Sequence, residues 1–255
     1  MTYLDVIIIG IIEGLTEFLP ISSTGHMLLA EAMLKLQNPE FVKTFTISIQ
    51  IGAILAIVFL YARRFISNLM IYKKLAVAFI PTMIVGFLFY KIIKEYLFNT
   101  IVVSVALVIG GIILILLDKW LVSTARKHTE LEEIPYLNAF FIGLFQSISV
   151  IPGVSRAAAT IIGGVVNGYN KKQATEFSFL LAVPTMCAAT GYDLLKTSAQ
   201  LAGPEWILLG LGGVVAFISA WIAVKLFVWF VEAYGFAFFG YYRIVLGIVF
   251  LLYFL

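Results

Sequence analysis

The sequence contains few charged side chains and almost no cysteine. Only 12% of its 255 residues are charged, whereas 62% are hydrophobic, which is more apolar material than a soluble domain of this length can bury. The single cysteine, Cys187, cannot form an internal disulfide and is expected to pack as a small hydrophobe. The net charge of +3 is spread over short loops, which argues against a nucleic-acid partner.

Several catalytic motifs are also missing. The chain has no His/Cys cluster with zinc spacing, no glycine-rich nucleotide loop and no Gly-x-Ser-x-Gly elbow. Apolar segments recur as far as Leu255, unlike a secretory signal that precedes a polar chain, so no cleaved leader is expected. These enzyme classes are therefore excluded, and the apolar composition with its recurring apolar segments predicts a polytopic integral membrane protein.

Long apolar segments fill most of the chain. Two of them, 3–36 and 137–168, are interrupted near the middle by polar residues and a proline. Non-helical backbone at membrane depth persists only where protein or a water-filled cavity satisfies its polar groups, so each is predicted to be a re-entrant pair of half-helices. A spanning helix needs about 20 mostly apolar residues. Six uninterrupted stretches meet this length: 43–62, 75–93, 100–118, 174–195, 205–229 and 236–255.

The two halves of the chain share one spacing. Pro20 precedes Phe45 by 25 residues, and Pro152 precedes Phe177 by the same interval, which gives a constant offset of 132. Each half then contains one re-entrant pair and three spans, and this odd number of crossings predicts an inverted-topology repeat that brings the two breaks together near the midplane. The predicted fold is all-α, with repeat 1 over about 1–118, a cytoplasmic loop over about 119–135 and repeat 2 over about 136–255.

Loop charge predicts the orientation of the chain, because cytoplasmic loops are enriched in Lys and Arg. The richer face, expected to be cytoplasmic, carries Arg63, Arg64, Lys73, Lys74, Lys119, Arg126, Lys127, Lys171 and Lys172. The other face carries Lys35, Lys43, Lys91, Lys94 and Lys196. Both termini and the open ends of the first re-entrant pair are then expected on the extracytoplasmic side.

The first break carries acidic, hydroxyl and imidazole groups. Glu13 and Glu17 share one helix face, where a divalent cation, a shared proton or cationic neighbours must offset their repulsion. The hydroxyl residues 22–24 follow Pro20, where they either cap the next helix or help its free N–H groups to bind phosphate. His26 has the chemistry of a general acid or base near neutral pH.

The second break repeats this arrangement. Ser155 and Arg156 follow Pro152, and a forked guanidinium matches phosphate in a bidentate manner. A permanent ion pair between Arg156 and one of the two glutamates is the structural alternative, and both interpretations stay open. Thr160, one turn after Arg156, is expected to face the same cavity. Gln50, Ser48, Glu176 and Ser178 are explained equally well by cavity lining and by contacts between helices.

Two segments resemble the signatures of a known family. The segment at 13–26 reads Glu-Gly-Leu-Thr-Glu-Phe-Leu-Pro-Ile-Ser-Ser-Thr-Gly-His, and the segment at 152–156 reads Pro-Gly-Val-Ser-Arg. Both resemble the signatures of the undecaprenyl-diphosphate phosphatases, the bacitracin-resistance membrane family, and residues 43–45 and 176–184 also look like family landmarks. The likeness covers essentially the whole chain.

The resemblance implies an enzyme of the bacterial cell membrane that hydrolyses undecaprenyl diphosphate to undecaprenyl phosphate and inorganic phosphate, recycling the cell-wall lipid carrier. It implies a divalent cation, Mg²⁺ or Ca²⁺, which Glu13 and Glu17 would hold. The residues that it marks as catalytic are Glu13, Glu17, Ser23, His26 and Arg156, and those that it marks as supporting phosphate contacts are Ser22, Thr24, Ser155 and Thr160.

One position departs from the family pattern, since Ala157 stands where a serine is common. Losing a hydrogen bond to a charged group costs about 1.5–3 kcal/mol, so weaker phosphate binding is expected there. Two mechanisms stay open: Ser23 attacks phosphorus with His26 as base, or His26 activates water. A lipid-phosphate flippase or transporter without hydrolysis is the rival function, and a homodimer is an open question.

Overall fold

The computed structural model describes residues 1–67, 69–92, 96–97, 99–123, 131–197, 201 and 203–254. Every regular element among these residues is helical, and no strand occurs in them, which confirms the prediction of an all-α membrane protein. Arg126, Lys127 and Lys94, which the orientation prediction uses, lie outside the described residues, as do residues 124–130 of the predicted loop.

Twelve α-helices occur in the described ranges. In the first half they are α1 Tyr3–Thr16, α2 Ser23–Met33, α3 Pro39–Ser48, α4 Gln50–Leu60, α5 Ala62–Ser67, α6 Met70–Ile92 and α7 Thr100–Ser123. In the second half they are α8 Tyr136–Ser147, α9 Arg156–Val166, α10 Lys171–Thr197, α11 Gly203–Tyr234 and α12 Ala237–Phe254.

Five helical segments of the described chain are long and apolar enough to cross a membrane: Pro39–Leu60, Met70–Phe89, Thr100–Trp120, Lys171–Leu195 and Gly203–Tyr234. The first joins α3 and α4 through Ile49. These segments match five of the six predicted spans. The sixth, α12, is apolar but shorter, so length and composition alone do not mark it as a span.

Both predicted breaks are present, and each separates two short helices. Residues 17–22 lie between α1 and α2, and residues 148–155 lie between α8 and α9. Ser22 and Ser155, the N-cap residues of α2 and α9, have left-handed backbone with φ of 69° and 73°. Non-glycine residues rarely adopt this conformation, so both breaks reverse the chain by the same strained step.

Helices of the two halves pack in exchanged pairs. Under the offset of 132, α1 corresponds to α8 and α6 to α11, and α1 packs on α11 while α8 packs on α6. The corresponding helices α7 and α12 pack on each other, as do α4 and α10. This exchange is the pattern of a repeat related by a pseudo-twofold axis. The direction in which each half crosses the bilayer, and the repeat boundaries, stay predictions.

The hydrophobic core supports the breaks from one side. Phe18, in the first break, is fully buried and meets Phe179 of α10 edge to face, with ring centroids 5.7 Å apart. Phe227 of α11 also packs on Phe179, with ring centroids 6.0 Å apart. Aromatic pairs in such tilted or perpendicular arrangements add to the gain from burial. The first break is therefore supported by packed aromatic side chains.

Candidate active site

A polar cavity of about 130 Å³ lies where the two breaks meet. Its lining from the first half is Glu17, Ser22, Ser23, Thr24 and Gln50, and from the second half Ser149, Ile151, Pro152, Gly153, Ser155 and Arg156. The breaks are therefore adjacent in the fold, as the repeat predicts. The cavity is too small for an isoprenoid chain, and its polar lining suits a charged headgroup.

Glu17 connects the two breaks. Its Oε2 accepts a hydrogen bond of 2.5 Å from the Ser23 hydroxyl, and its Oε1 lies 3.2 Å from Nη2 of Arg156. The side chains of this ion pair are only 8% and 10% exposed. Ser23 and Arg156 are the first residues of α2 and α9, so one carboxylate contacts the starting residue of both second half-helices.

Arg156 is held on several sides, but one of its three guanidinium nitrogens has no hydrogen-bond partner among the described residues. Nη1 donates to the Ser178 carbonyl at 3.1 Å, Nη2 also meets Sδ of Met186 at 3.6 Å, and the guanidinium lies 5.5 Å from the Phe18 ring centroid. Nε is buried and has no hydrogen-bond partner among the described residues. A buried donor without a partner is costly, so a ligand oxygen that reached this N–H would be bound favourably.

The starts of the two half-helices differ in their capping. The Ser155 hydroxyl accepts a hydrogen bond of 3.2 Å from the Ala158 N–H, as an N-cap does. Ser22 occupies the same position before α2, but its side chain forms no capping hydrogen bond. The first N–H groups of α2 thus lack a side-chain cap beside the cavity, which is the arrangement that binds phosphate oxygens.

Glu13 lies one turn before Glu17 and is completely buried. Both of its carboxylate oxygens lack hydrogen-bond partners in the described part of the chain. No group of three or more His, Cys, Asp or Glu side chains suited to a metal occurs there either. Glu13 does not line the cavity. Its carboxylate and that of Glu17, one helical turn apart, nevertheless fit Mg²⁺, which often takes one or two protein carboxylates and completes its shell with water and substrate phosphate.

His26 is held by a tyrosine and does not line the cavity. Its Nδ1 lies 2.8 Å from the Ser22 carbonyl oxygen, and its Nε2 lies 2.7 Å from the Tyr242 hydroxyl. Because a carbonyl only accepts, Nδ1 carries a proton, and Nε2 of the neutral ring accepts from Tyr242. The two rings stack with centroids 5.6 Å apart and planes 4° from parallel.

The remaining predicted residues take different positions. Thr24 and Ser155 line the cavity. Thr160 is only 1% exposed and donates to Ser178 Oγ at 2.6 Å, so it contacts the residue whose carbonyl holds Arg156 and does not line the cavity. Ala157 is fully buried and is also absent from the lining.

Sequence reasoning missed two residues of α12, Tyr242 and Arg243. Tyr242 holds His26, and the guanidinium of Arg243 donates to carbonyl oxygens of both breaks. A signal for Arg243 was present, because an arginine inside the apolar stretch 236–255 is costly and marks a functional position by default. Its partners could not be inferred, since they lie 89 to 223 positions away along the chain.

The fold and the cavity define a class: an all-α integral membrane protein with a polar pocket, suited to a phosphate-bearing lipid, between two interrupted helices. The chain belongs to the bacitracin resistance protein BacA family, whose model matches residues 6–249. Relatives named undecaprenyl-diphosphatase align along nearly their whole length. The chain is 50% identical to that of Persephonella marina over 99% of both chains and 50% identical to that of Aquifex aeolicus over 100% of both. It is 51% identical to that of Wolinella succinogenes, over 99% of this chain and 98% of the relative.

Proposed function

We propose that this protein is a membrane phosphatase that hydrolyses undecaprenyl diphosphate to undecaprenyl phosphate and inorganic phosphate. Membership of the BacA family and relatives of about 50% identity that carry the undecaprenyl-diphosphatase name support this assignment. The observation that carries it is the contact of Ser23 and Arg156 with the same carboxylate, Glu17, inside a polar cavity. A nucleophile, a proton acceptor and a phosphate-binding cation thus lie together.

The substrate is held at its terminal phosphate. The uncapped start of α2 and the free Nε–H of Arg156 bind the phosphate oxygens, while the prenyl chain stays among the apolar helices. Thr24, Ser155 and Ser22 add polar contacts around the same cavity. Arg156 then also offsets the charge that develops on the transferring phosphoryl group, which is the main demand of phosphoryl transfer.

Ser23 is the nucleophile in the mechanism that these contacts favour. Its oxygen bonds to the terminal phosphorus, its proton passes to Glu17 Oε2, and the bond from phosphorus to the bridging oxygen breaks, releasing the prenyl monophosphate. Water then attacks the phosphoserine. One water proton returns to the Ser23 oxygen as the serine–phosphorus bond breaks, inorganic phosphate keeps the hydroxyl, and Glu17 releases its proton to solvent.

Glu17 replaces His26 as the base in this scheme, because Ser23 donates to Glu17 and Nε2 of His26 is engaged by Tyr242. His26 instead fixes the start of α2 through the Ser22 carbonyl. Glu13 and Glu17 would hold a divalent cation, Mg²⁺ or Ca²⁺, which when bound neutralises phosphate charge. The buried oxygens of Glu13, which have no hydrogen-bond partner in the described ranges, support this assignment.

The cavity is proposed to open to the extracytoplasmic side of the bacterial cell membrane, with both termini on that side. The excess of Lys and Arg on the loops of the opposite face supports this orientation. The substrate is then drawn from the outer leaflet, where the prenyl chain stays in lipid while the diphosphate enters the cavity.

The test is phosphate release from undecaprenyl diphosphate by purified protein in detergent. Wild-type protein is expected to release phosphate, whereas Ser23→Ala and Arg156→Ala variants lose at least about 100-fold in kcat/KM. Ser104→Ala is the matched control, because Ser104 is a buried serine that bonds within its own helix.

Detergent has no compartments, so a transporter without hydrolysis produces no phosphate in this assay. Absence of release by folded wild-type protein supplied with Mg²⁺ would therefore overturn the proposed function in favour of transport.

A further inference from the structure

Arg243 is a fully buried arginine in the apolar helix α12. All five N–H donors of its guanidinium have backbone carbonyl partners at 2.9 to 3.3 Å. Nε donates to Leu107, Nη1 to Pro20 and Val154, and Nη2 to Ala106 and Gly153. A lysine has three donors on a single nitrogen and cannot reproduce this planar arrangement of five donors.

The carbonyls that Arg243 binds come from three separate segments. Pro20 belongs to the first break, Gly153 and Val154 belong to the second, and the other two carbonyls belong to α7. Carbonyls in the breaks have lost regular helical partners and are costly to bury without others. One side chain therefore satisfies backbone groups of both breaks and fixes their separation.

We propose that Arg243 is a positioning residue that sets the distance between the two breaks, and so brings Ser23 and Arg156 to the same phosphate. It touches neither of these side chains in any described hydrogen bond and acts through the backbone before each of them. This inference rests on the proposed phosphatase site for its catalytic consequence, but the positioning itself is a property of the fold.

Gly110 of α7 supports the same interpretation from the opposite side. A Cβ placed on Gly110 would run into Nη2 and Cζ of Arg243, so glycine makes room for the guanidinium. Gly110→Ala thus displaces the guanidinium while Arg243 stays in the sequence. This gives a second variant that tests the same contact without removing a buried charge.

The kinetic test compares Arg243→Lys and Gly110→Ala with two matched controls. Arg63→Lys changes an exposed arginine, and Gly86→Ala adds a Cβ that meets nothing within 4 Å. Misplacement of reacting groups by about 1 Å can cost about 100-fold, so both test variants are expected to lose about that factor in kcat. KM should change less than about threefold, because these substitutions do not alter the contacts between the prenyl chain and the apolar helices.

A second readout is independent of hydrolysis. Cys187→Ala removes the native thiol, and Ser149→Cys places a thiol on the cavity wall. Arg243→Lys and Gly110→Ala are expected to disrupt the hydrogen bonds that hold the two breaks together. The reaction of this thiol with a charged methanethiosulfonate should then become severalfold faster, whereas the control substitutions should leave its rate unchanged.

The proposal is overturned if thiol reactivity is unchanged in both test variants. It is also overturned if kcat per folded molecule, measured below the unfolding temperature, equals that of the controls. That outcome is expected if Arg243 only stabilises the fold. Wild-type protein that releases no phosphate refutes the proposed function instead, and the thiol readout still decides whether Arg243 positions the breaks.

Discussion

Nη2 of Arg156 lies 3.2 Å from Oε1 of Glu17, although the two residues are 139 positions apart. The pair is almost completely buried, where removing one charge leaves the other uncompensated. Glu17 also accepts the Ser23 hydroxyl at 2.5 Å. The carboxylate therefore orients the proposed nucleophile and balances the phosphate-binding cation at the same time.

Glu17→Gln should separate these two tasks. The amide keeps a similar shape but cannot take a proton, so kcat for phosphate release is expected to fall at least about 100-fold. With Mg²⁺ at a saturating concentration, KM for the diphosphate should not rise, because the competing negative charge beside Arg156 is removed. Glu232→Gln is the control, since Glu232 forms an exposed ion pair with Lys172. A kcat for Glu17→Gln within about threefold of the control would contradict the assigned proton acceptor.

Ser23 as nucleophile predicts a covalent intermediate. Wild-type protein mixed with terminally ³²P-labelled prenyl diphosphate and quenched in acid within one turnover should carry label at Ser23, located by peptide mapping. The Ser23→Ala variant should carry none. Rapid-quench samples of active wild-type protein that stay unlabelled at every time point would contradict a phosphoserine that accumulates during turnover.

Glu13 is expected to set the metal requirement. Chelator should abolish phosphate release, and added Mg²⁺ should restore it. Glu13→Gln should raise the half-saturating Mg²⁺ concentration at least about tenfold, because one of two anionic ligands is lost. Glu31→Gln, a partly exposed carboxylate of α2, is the control. An identical Mg²⁺ dependence in both variants would remove Glu13 from the proposed metal site.

Tyr242 is expected to act through His26. Tyr242→Phe keeps the stacked ring and loses only the hydrogen bond of 2.7 Å to Nε2, so kcat should fall about fivefold, in line with a net hydrogen bond of about 1 kcal/mol. Tyr241→Phe changes the exposed neighbouring tyrosine and serves as control. In a His26→Ala background the Tyr242 substitution should have no further effect, and multiplying effects would show that the two residues act separately.

Gly143 allows α8 to pack closely on α6. A Cβ at Gly143 would collide with the backbone of Ala78, whereas one at Gly191 meets nothing within 4 Å. Gly143→Ala is expected to lower the free energy of unfolding by about 1–3 kcal/mol and to lower Tm. Gly191→Ala should not lower Tm, because alanine favours a helix by about 1 kcal/mol over glycine. Equal Tm values in intrinsic-fluorescence melts would argue against tight packing at Gly143.

Much of the framework could be predicted from local patterns. The lengths of the continuous apolar stretches predict the spans, and the polar stretches that contain Pro20 and Pro152 predict both breaks. The constant offset also predicted that the breaks meet. The sixth span shows the limit of the length criterion, since α12 is shorter than the other five.

The contacts within the site could not be predicted in the same way. Ser23 and Glu17 are six positions apart across a break, where helical periodicity no longer relates side chains. Thr160 was expected in the cavity from its spacing to Arg156, yet it bonds to Ser178, because rotation of α9 is set by its packing on α10. The partners of Tyr242 and Arg243 depend on the docking of α12, which no local pattern encodes.

The position of Arg243 in α12 also bears on the order in which parts of the site are synthesised. Helices emerge from the ribosome in chain order, and α12 follows every other described helix. The carbonyls of both breaks therefore lack their common partner until all the preceding described helices have been synthesised. A nascent chain arrested before α12 would contain every proposed catalytic side chain. It would still lack Arg243, the residue proposed to position them relative to one another.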